Sequence, residues 1–388
     1  MPRKILAILF LLPLTVLSAT ETRTSFRPGE LWPDDKGVHI NAHGGGLLVA
    51  NGITYWFGEH KIEGKAGNTA HVGVHVYSSK DLYNWKDEGI ALKVSPDPKS
   101  EIAKGCVIER PKVIFNPKTG KYVMWFHLEF LGQGYRTART GVAVADKPTG
   151  PYKFLHSLRI NPGIWPENTP EHLRKPLSDE ELALLQIPRQ QRPNPPTLAE
   201  EADFLLRRDF AVGQESKDMT LFVDDDGVAY HIGTSEGTLT LKISRLNPDF
   251  TGFDGHYVRV FVGNKNEAPA IFKRGGKYYL LTSGCTGWKP NAARLAVADR
   301  ITGPWTHLGN PCHGFNPATQ LGPEKTFGGQ STFVFPVPGK KDAFIAMFDE
   351  WRPDNAIDGR YYWLPIRFQD NRPVIEWNSN WDLSTFKS

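Results

Sequence analysis

Short runs in which apolar and polar positions alternate with a period of two dominate this chain. Residues 47–50 and 53–58 flank Asn51-Gly52, a pair that supplies the left-handed backbone a two-residue hairpin requires. The same unit returns four times: 112–115 and 121–126 around Thr119-Gly120, 219–223 and 228–232 around Asp226-Gly227, 270–273 and 277–282 around Gly275-Gly276, and 332–336 and 343–348 across Pro338-Gly339. A second echo follows the hairpins. Ala143-Val144-Ala145-Asp146 with Thr149-Gly150-Pro151-Tyr152 recurs as Ala296-Val297-Ala298-Asp299 with Thr302-Gly303-Pro304-Trp305. Looser relatives lead from Val76-Tyr77-Ser78-Ser79 to Trp85, and from Lys242-Ile243-Ser244-Arg245 to Phe250. Each describes a strand, a turn and a short edge strand closed by an aromatic. Five hairpins, each followed by one or two further strands, make five four-stranded units. Units repeated radially close into an all-β, five-bladed β-propeller, here over residues 30–385, without long exposed edges.

The repeat is interrupted once. The gap between the turns at Gly120 and Gly227 is the longest, and its excess lies in 160–215, a stretch rich in proline and charge. A helical patch is predicted at 178–186, with Ser178 as N-cap and Glu180 and Glu181 in the first turn. This partly helical insertion between blades two and three is a candidate lid beside a site. At the other extreme, Met1-Pro2-Arg3-Lys4 precedes an apolar run over 5–17, and Leu17-Ser18-Ala19 ends it with small residues. A basic start, a short apolar core and small residues predict a secretory signal over 1–19. The run is short of the ~20 residues that span a bilayer. The expected product is therefore exported, secreted or periplasmic, with no membrane attachment after cleavage.

Composition narrows the function. With 388 residues, 40% hydrophobic and 23% charged, the chain is neither disordered nor fibrous. Aromatics reach 12%, the usage expected of sugar-facing surfaces as well as strands. Forty-six basic against 42 acidic residues leave +4, too near neutral for the basic stripe of a nucleic-acid binder. The cysteines are Cys106, Cys285 and Cys312, an odd number that leaves at least one thiol free. A Cys285–Cys312 bridge and three isolated thiols both stay open. No C-x-x-C occurs, which argues against structural zinc.

In a propeller the inner strand of each blade lines the central channel, so the polar residues opening those strands converge. Here the openings are Asn41-Ala42-His43 before Gly44-Gly45-Gly46, Glu109-Arg110-Pro111, Lys217-Asp218-Met219, Glu267-Ala268-Pro269 and Gly329-Gln330-Ser331. Cleavage of a glycosidic bond uses two carboxyl groups, one as proton donor. Glu109, Asp218 and Glu267 come from three blades and face one axis. Tyr135, Trp288 and Trp351 sit in glycine- or proline-containing loops and are candidate stacking platforms for a sugar ring. Asn41 and His43 are weaker candidates for the channel wall. Asp224-Asp225-Asp226-Gly227 reads as a hairpin turn rather than a calcium loop. No cofactor and no metal ligand set is expected, and a structural calcium in the channel stays an open alternative.

These pieces resemble glycoside hydrolase family 43. The resemblance runs over roughly 30–385, and rests most on Asn41-Ala42-His43-Gly44-Gly45-Gly46, Tyr55-Trp56-Phe57-Gly58-Glu59, Lys217-Asp218-Met219-Thr220-Leu221-Phe222, Glu267-Ala268-Pro269, Thr282-Ser283-Gly284-Cys285-Thr286-Gly287-Trp288 and Phe327-Gly328-Gly329-Gln330-Ser331-Thr332. Within the family these are similar to the exo-β-1,3-galactanase branch. The resemblance implies an inverting, exo-acting hydrolase that frees terminal galactose from β-1,3-linked galactan such as the arabinogalactan backbone. It implies Glu267 as general acid, Asp218 as the group that orients it and holds its pKa up, and Glu59 and Glu109 as binders of sugar hydroxyls. The family's usual base, an aspartate opening the first blade, is absent from Ile40-Asn41-Ala42-His43. Gln330 matches the glutamine that stands in for it, orienting or activating the water; Glu109 or Glu59 offers another way to position that water. The expected partner is an oligo- or polysaccharide, and the expected state a monomer. The rival readings are an α-L-arabinofuranosidase or β-D-galactofuranosidase, and, in another class, a non-catalytic carbohydrate-binding propeller.

Overall fold

All five predicted hairpins are present, and each forms the inner half of one sheet. The computed structural model describes residues 22–386; the expected signal over 1–19 lies outside them. Blade one is β1 (His43–Ala50), β2 (Ile53–Glu59), β3 (Gly73–Ser79) and β4 (Lys86–Lys93). Blade two is β5 (Val107–Asn116), β6 (Lys121–Glu129), β7 (Arg139–Ala145) and β8 (Lys153–Leu158). Blade three is β9 (Met219–Val223), β10 (Ala229–Ser235), β11 (Thr240–Leu246) and β12 (Phe253–Val260). Blade four is β13 (Asn266–Arg274), β14 (Lys277–Gly284), β15 (Arg294–Ala298) and β16 (Thr306–Gly309). Blade five holds β18 (Gln330–Pro336), β19 (Phe344–Glu350), β20 (Arg360–Gln369) and β21 (Arg372–Glu376). Its outer edge is covered by the two-residue β17 (Cys312–His313), parallel to β21, a fifth strand the repeat does not foretell. Asn51 and Gly52 both have positive φ, 52° and 74°, as the predicted turn demands.

The ring closes on aromatics. Phe26 pairs with Trp381 beyond β21, tying the start of the described chain to its end. Between blades five and one, Trp32, Trp56, Trp85, Trp363 and Trp381 share one buried cluster, with Trp56 and Trp363 centroids 4.6 Å apart. Each such ring buries ~150–250 Å² of surface, so this seam is where burial holds the first blade to the last. The repeated turn has its own logic. Trp85, Tyr152 and Trp305 fold back, and each donates its polar hydrogen to a carbonyl of its own turn: Leu82 at 3.1 Å, Pro148 at 3.1 Å and Ile301 at 3.2 Å. Each aromatic, buried at Trp85 and Tyr152 and partly buried at Trp305, thereby keeps its polar tip satisfied. Gly150-Pro151 and Gly303-Pro304 are both cis. In blade three Phe250 has no hydrogen to give; its carbonyl instead accepts from Trp125 Nε1 at 2.7 Å.

The segment 160–215 carries α1 (Asp179–Leu185) and α2 (Leu198–Arg208). Ser178 caps α1, and its reciprocal bond is with Glu181. Thr197 and Glu200 form a second such box on α2, which the reading of the sequence passed over. The segment lies on the outer strand of blade three. Asp203 pairs with Arg259 of β12 at 2.8 Å, Asn168 bonds the Arg259 backbone, and Tyr257 donates to Ile164 O. None of its residues lines the cavity described next, so it braces a blade rather than forming a lid. All three cysteines are free thiols, with no Cys285–Cys312 bridge. Among the described residues no helix is long and apolar enough to cross a membrane.

Candidate active site

Hairpin register places the chemistry. The residues opening four inner strands pair across to polar residues ending the second strands: His43 with Glu59, Glu109 with His127, Glu267 with Ser283, and Gln330 with Asp349. Just inside these pairs the register slips, between His43 and Gly46, Glu109 and Lys112, Glu267 and Ala270, and Ser331 and Phe333. Gly44, Arg110 and Ala268, each directly after an opening residue, have positive φ of 61°, 57° and 53°. A bulge of this kind re-aims the side chain before it, which is how Glu109 and Glu267 leave the sheet plane and enter the channel.

The channel mouth is a cavity of about 220 Å³ walled by Glu59, Lys61, Glu109, Arg110, Tyr135, Asp218, Glu267, Gly287, Trp288, Gln330 and Trp351. Eight of the ten residues singled out from the sequence are among them. Asn41 and His43 are not. Asn41 is buried behind the wall, its amide spent in both directions on the backbone of Lys61, at 2.8 Å each way. His43 is buried beside Tyr361 and Trp351, and burial pulls its pKa well below the ordinary value. Blade one reaches the cavity through its second strand instead. Glu59 and Lys61, two apart and so on one face, form an ion pair at 2.6 Å. Lys61 was missed, although that spacing after a strand end marks it.

The triple glycine explains how Glu59 gets there. A Cβ on Gly44 would collide with Glu59 Oε1 and crowd Arg110 N, one on Gly45 would strike Phe57 O, and one on Gly46 would strike Lys112. Gly44 is also clamped from below: its N–H donates to Asp349 at 2.6 Å and its carbonyl accepts from Lys112 at 2.8 Å. Burial pushes Asp349 up to about 7 and pulls Lys112 down to about 7. Gly44→Ala is therefore expected to cost about 1–3 kcal/mol from the positive φ alone. By displacing Glu59 it is expected to lower kcat/KM about 10²-fold. Thermal unfolding and steady-state kinetics check the two effects separately.

Arg110 organises the rest. Buried, it pairs with Asp218 at 3.0 Å, donates to Gln330 Oε1 at 2.6 Å and to Ser331 O at 2.7 Å, and lies 5.5 Å from the Trp351 ring. Asp218 also accepts from Ala268 N at 3.2 Å, fixing the bulge that carries Glu267. Burial first, and the Asp218 charge second, push Glu267 up to about 7. Burial would also raise Glu109, but the His127 hydrogen bond and charge outweigh it and hold that carboxyl at about 2. Two carboxyl groups sharing one cavity are thus split, one protonated near neutrality and one ionised.

Gln330 has a fixed orientation. Its oxygen accepts from Arg110 and from Trp351 Nε1 at 2.9 Å, and both groups are donors only. Its nitrogen therefore donates, to Ser283 Oγ at 2.9 Å and toward Glu267 at 3.5 Å. To act as a base the amide would have to take its imidic acid form and give a proton from that oxygen, and neither neighbour accepts one. The 3.5 Å separation also contrasts with the ~6.5–9.5 Å between the paired carboxyls of inverting enzymes. This arrangement holds Gln330 as an amide donor beside the acid, not as a base facing it.

Tyr135 donates to Glu109 at 2.5 Å and keeps 48% of its surface exposed; Trp288, 44% exposed, stands edge-on to Trp351 with centroids 6.2 Å apart. Glu109, His127 and Asp218 each bring a ligand atom within 4.8 Å of the others, the one such group among the described residues. Both His127 nitrogens are bonded to carboxylates, and Asp218 to Arg110.

Comparison with known proteins agrees with this geometry. The model of "Glycosyl hydrolases family 43" matches residues 205–331, which hold Asp218, Glu267 and Gln330. Among curated proteins, none matches the sequence. A family 43 β-1,3-galactosidase solved with galactodeoxynojirimycin is 49% identical, with 92% of this chain and 100% of that one covered and a TM-score of 0.84. An exo-β-1,3-galactanase from Clostridium thermocellum is 30% identical over 92% of this chain and 66% of its own, TM-score 0.72. One from Phanerochaete chrysosporium, solved with β-1,3-galactotriose, is 29% identical over 93% and 68%, TM-score 0.71. This chain therefore belongs to glycoside hydrolase family 43, as a five-bladed propeller with glycosidase activity.

Proposed function

We propose that the protein is an exported, exo-acting, inverting β-1,3-galactosidase that releases terminal galactose from β-1,3-linked galactan of the arabinogalactan type. The observation that carries this is the cavity. At about 220 Å³ it falls below the ~300–1,000 Å³ of sites for larger ligands, and suits one sugar ring rather than an internal stretch of chain. Its charge leans negative as well. Glu59, Glu109 and Asp218 face Lys61 and Arg110, the His127 behind Glu109 is shared with Glu129, and Glu267 is protonated near neutral pH. An uncharged terminal sugar fits that balance better than a uronate. The likeness to solved β-1,3-galactosidases and exo-β-1,3-galactanases supports galactose and the linkage.

In this reading Glu267 protonates the leaving oxygen, and Asp218 holds Glu267 in place and in its protonated form. Glu59 and Glu109 accept sugar hydroxyls through charge-assisted bonds, and Tyr135, Trp288 and Trp351 bound the ring and the first unit beyond it. Gln330 donates its amide beside the acid, and the water attacks from the opposite face of the ring. The water's proton leaves toward the ionised carboxylates of the wall, of which Glu109 is the one held in its charged form.

Incubation with β-1,3-galactan, with galactan carrying arabinose side chains, and with aryl β-galactopyranoside, α-L-arabinofuranoside and β-D-galactofuranoside tests the proposal. Galactose alone should appear from the earliest times, and proton NMR should show it first as the α-anomer. Release of internal oligosaccharides would overturn exo action, and the β-anomer would overturn inversion. Preference for a furanoside would move the substrate, and binding without turnover on any of these would favour a capture role.

A further inference from the structure

Behind Glu109 the mechanism leaves a buried charged cluster unexplained. His127 is 1% exposed, yet both of its ring nitrogens face carboxylates: Nδ1 lies 3.0 Å from Glu109 Oε2 and Nε2 3.0 Å from Glu129 Oε1. Two carboxylates can be bonded at once only by an imidazole that donates from both nitrogens, which is the cationic form. Glu129 is fully buried and cannot leave. Its second oxygen accepts from Thr137 N at 2.7 Å and Ala138 N at 2.9 Å, at the foot of the loop that carries Tyr135. Glu109, by contrast, faces the sugar cavity.

We propose that His127 is a positioning residue for the glycosidase reaction: pinned by Glu129, it serves as a fixed counter-cation that keeps the Glu109 carboxylate charged toward the sugar. The inference rests on Glu109 being a sugar- and water-facing group. The charged neighbours agree with it. Glu109 meets His127 from β6, the Tyr135 hydroxyl from the following loop, Glu59 and Lys61 at and after the end of β2, Arg110 beside it, Asp218 before β9 and Glu267 on β13. Burial alone would strip the proton from His127, but the two carboxylates outweigh it and hold the ring at about 9. It thus stays charged across the range in which Glu267 titrates.

The test has two arms. In ¹⁵N NMR of the intact protein, the His127 ring should stay doubly protonated from pH 5 to pH 8; a neutral ring at pH 7 overturns the proposal. This arm needs no substrate, so it stands or falls apart from the galactan assignment. In the kinetic arm, on whichever aryl glycoside the wild type cleaves, His127→Gln keeps a polar side chain and removes the charge. Without that charge burial lifts Glu109 from about 2 to the ordinary carboxyl range or above it, so the acid limb of kcat/KM should move up by about two to three pH units, with the loss at pH 5 exceeding the loss at pH 7. Glu129→Gln should move the same limb the same way, by less. A uniform fall at every pH in both variants, the acid limb unmoved, marks a purely structural histidine and overturns the proposal. Should His127→Gln fail to fold, Glu129→Gln carries the kinetic arm alone.

Discussion

Replacing Glu267 by glutamine is expected to lower turnover of galactan by about 10²–10⁴-fold, the usual worth of a positioned general acid. The size of the carboxyl is kept, so galactose should bind almost as before. The decisive comparison is between leaving groups. A galactan chain leaves as a poor alkoxide and needs the proton; a dinitrophenolate does not. The variant should therefore lose far less on dinitrophenyl β-galactoside than on galactan. The pH profile gives an independent check. Glu267 is held at about 7, so the wild-type kcat should decline as pH rises through that value, and the variant should lack this limb. Equal losses on both substrates, or an alkaline limb that survives the substitution, would remove Glu267 from the donor role. The same raised pKa carries a cost in stability. Between the ordinary carboxyl range and pH 7 the folded chain holds a proton that the unfolded chain releases, so this group makes the fold less stable as pH rises through that window. Function at this position opposes folding, as expected of a catalytic acid rather than a structural one.

The propeller was legible because each hairpin carries its own turn chemistry and because the echo from 143–152 to 296–305 repeats both pattern and punctuation. Interaction within a blade is local, so local sequence suffices. What escaped is what depends on neighbours. The edge strand at Cys312 pairs with β21 some sixty residues on, and two residues have no periodicity to detect. The same distinction runs through the site. Glu109, Asp218, Glu267 and Gln330 open inner strands, and one rule finds them all. Applied to blade one, that rule points to Asn41 and His43, yet the wall there is made by Glu59 and Lys61. The triple glycine is the reason: removing side chains from the inner strand lets the second strand reach through. Hairpin register would also have pointed to His127 and Asp349, since the partner of each opening residue follows from the turn alone. In the sequence Arg110 stands out only as a neighbour of Glu109. Its φ of 57° turns its side chain to the opposite wall, and no pattern of apolar and polar positions encodes that.

That turn makes Arg110 the residue whose loss should be felt most widely. Arg110→Met removes the buried partner of Asp218, both donors to blade five at Gln330 and Ser331, and the cation beside Trp351. Breaking one side of a buried ion pair costs about 3–5 kcal/mol, because the other charge is left without compensation. Activity should fall at least about 10²-fold, since Gln330 loses the bond that orients its amide and Asp218 the one that holds it against Ala268. A second substitution separates the two effects. In Arg110→Met with Asp218→Asn no unpaired charge remains, so much of the lost stability should return. Activity should not return, because neither Gln330 nor Glu267 is repositioned by removing a charge. Denaturant unfolding and kcat/KM on the same samples measure both. If the double variant is no more stable than the single, the pair does not bear the stability assigned to it. If the double variant regains activity, Arg110 serves only to neutralise Asp218, and the orientation of Gln330 is not what the reaction needs.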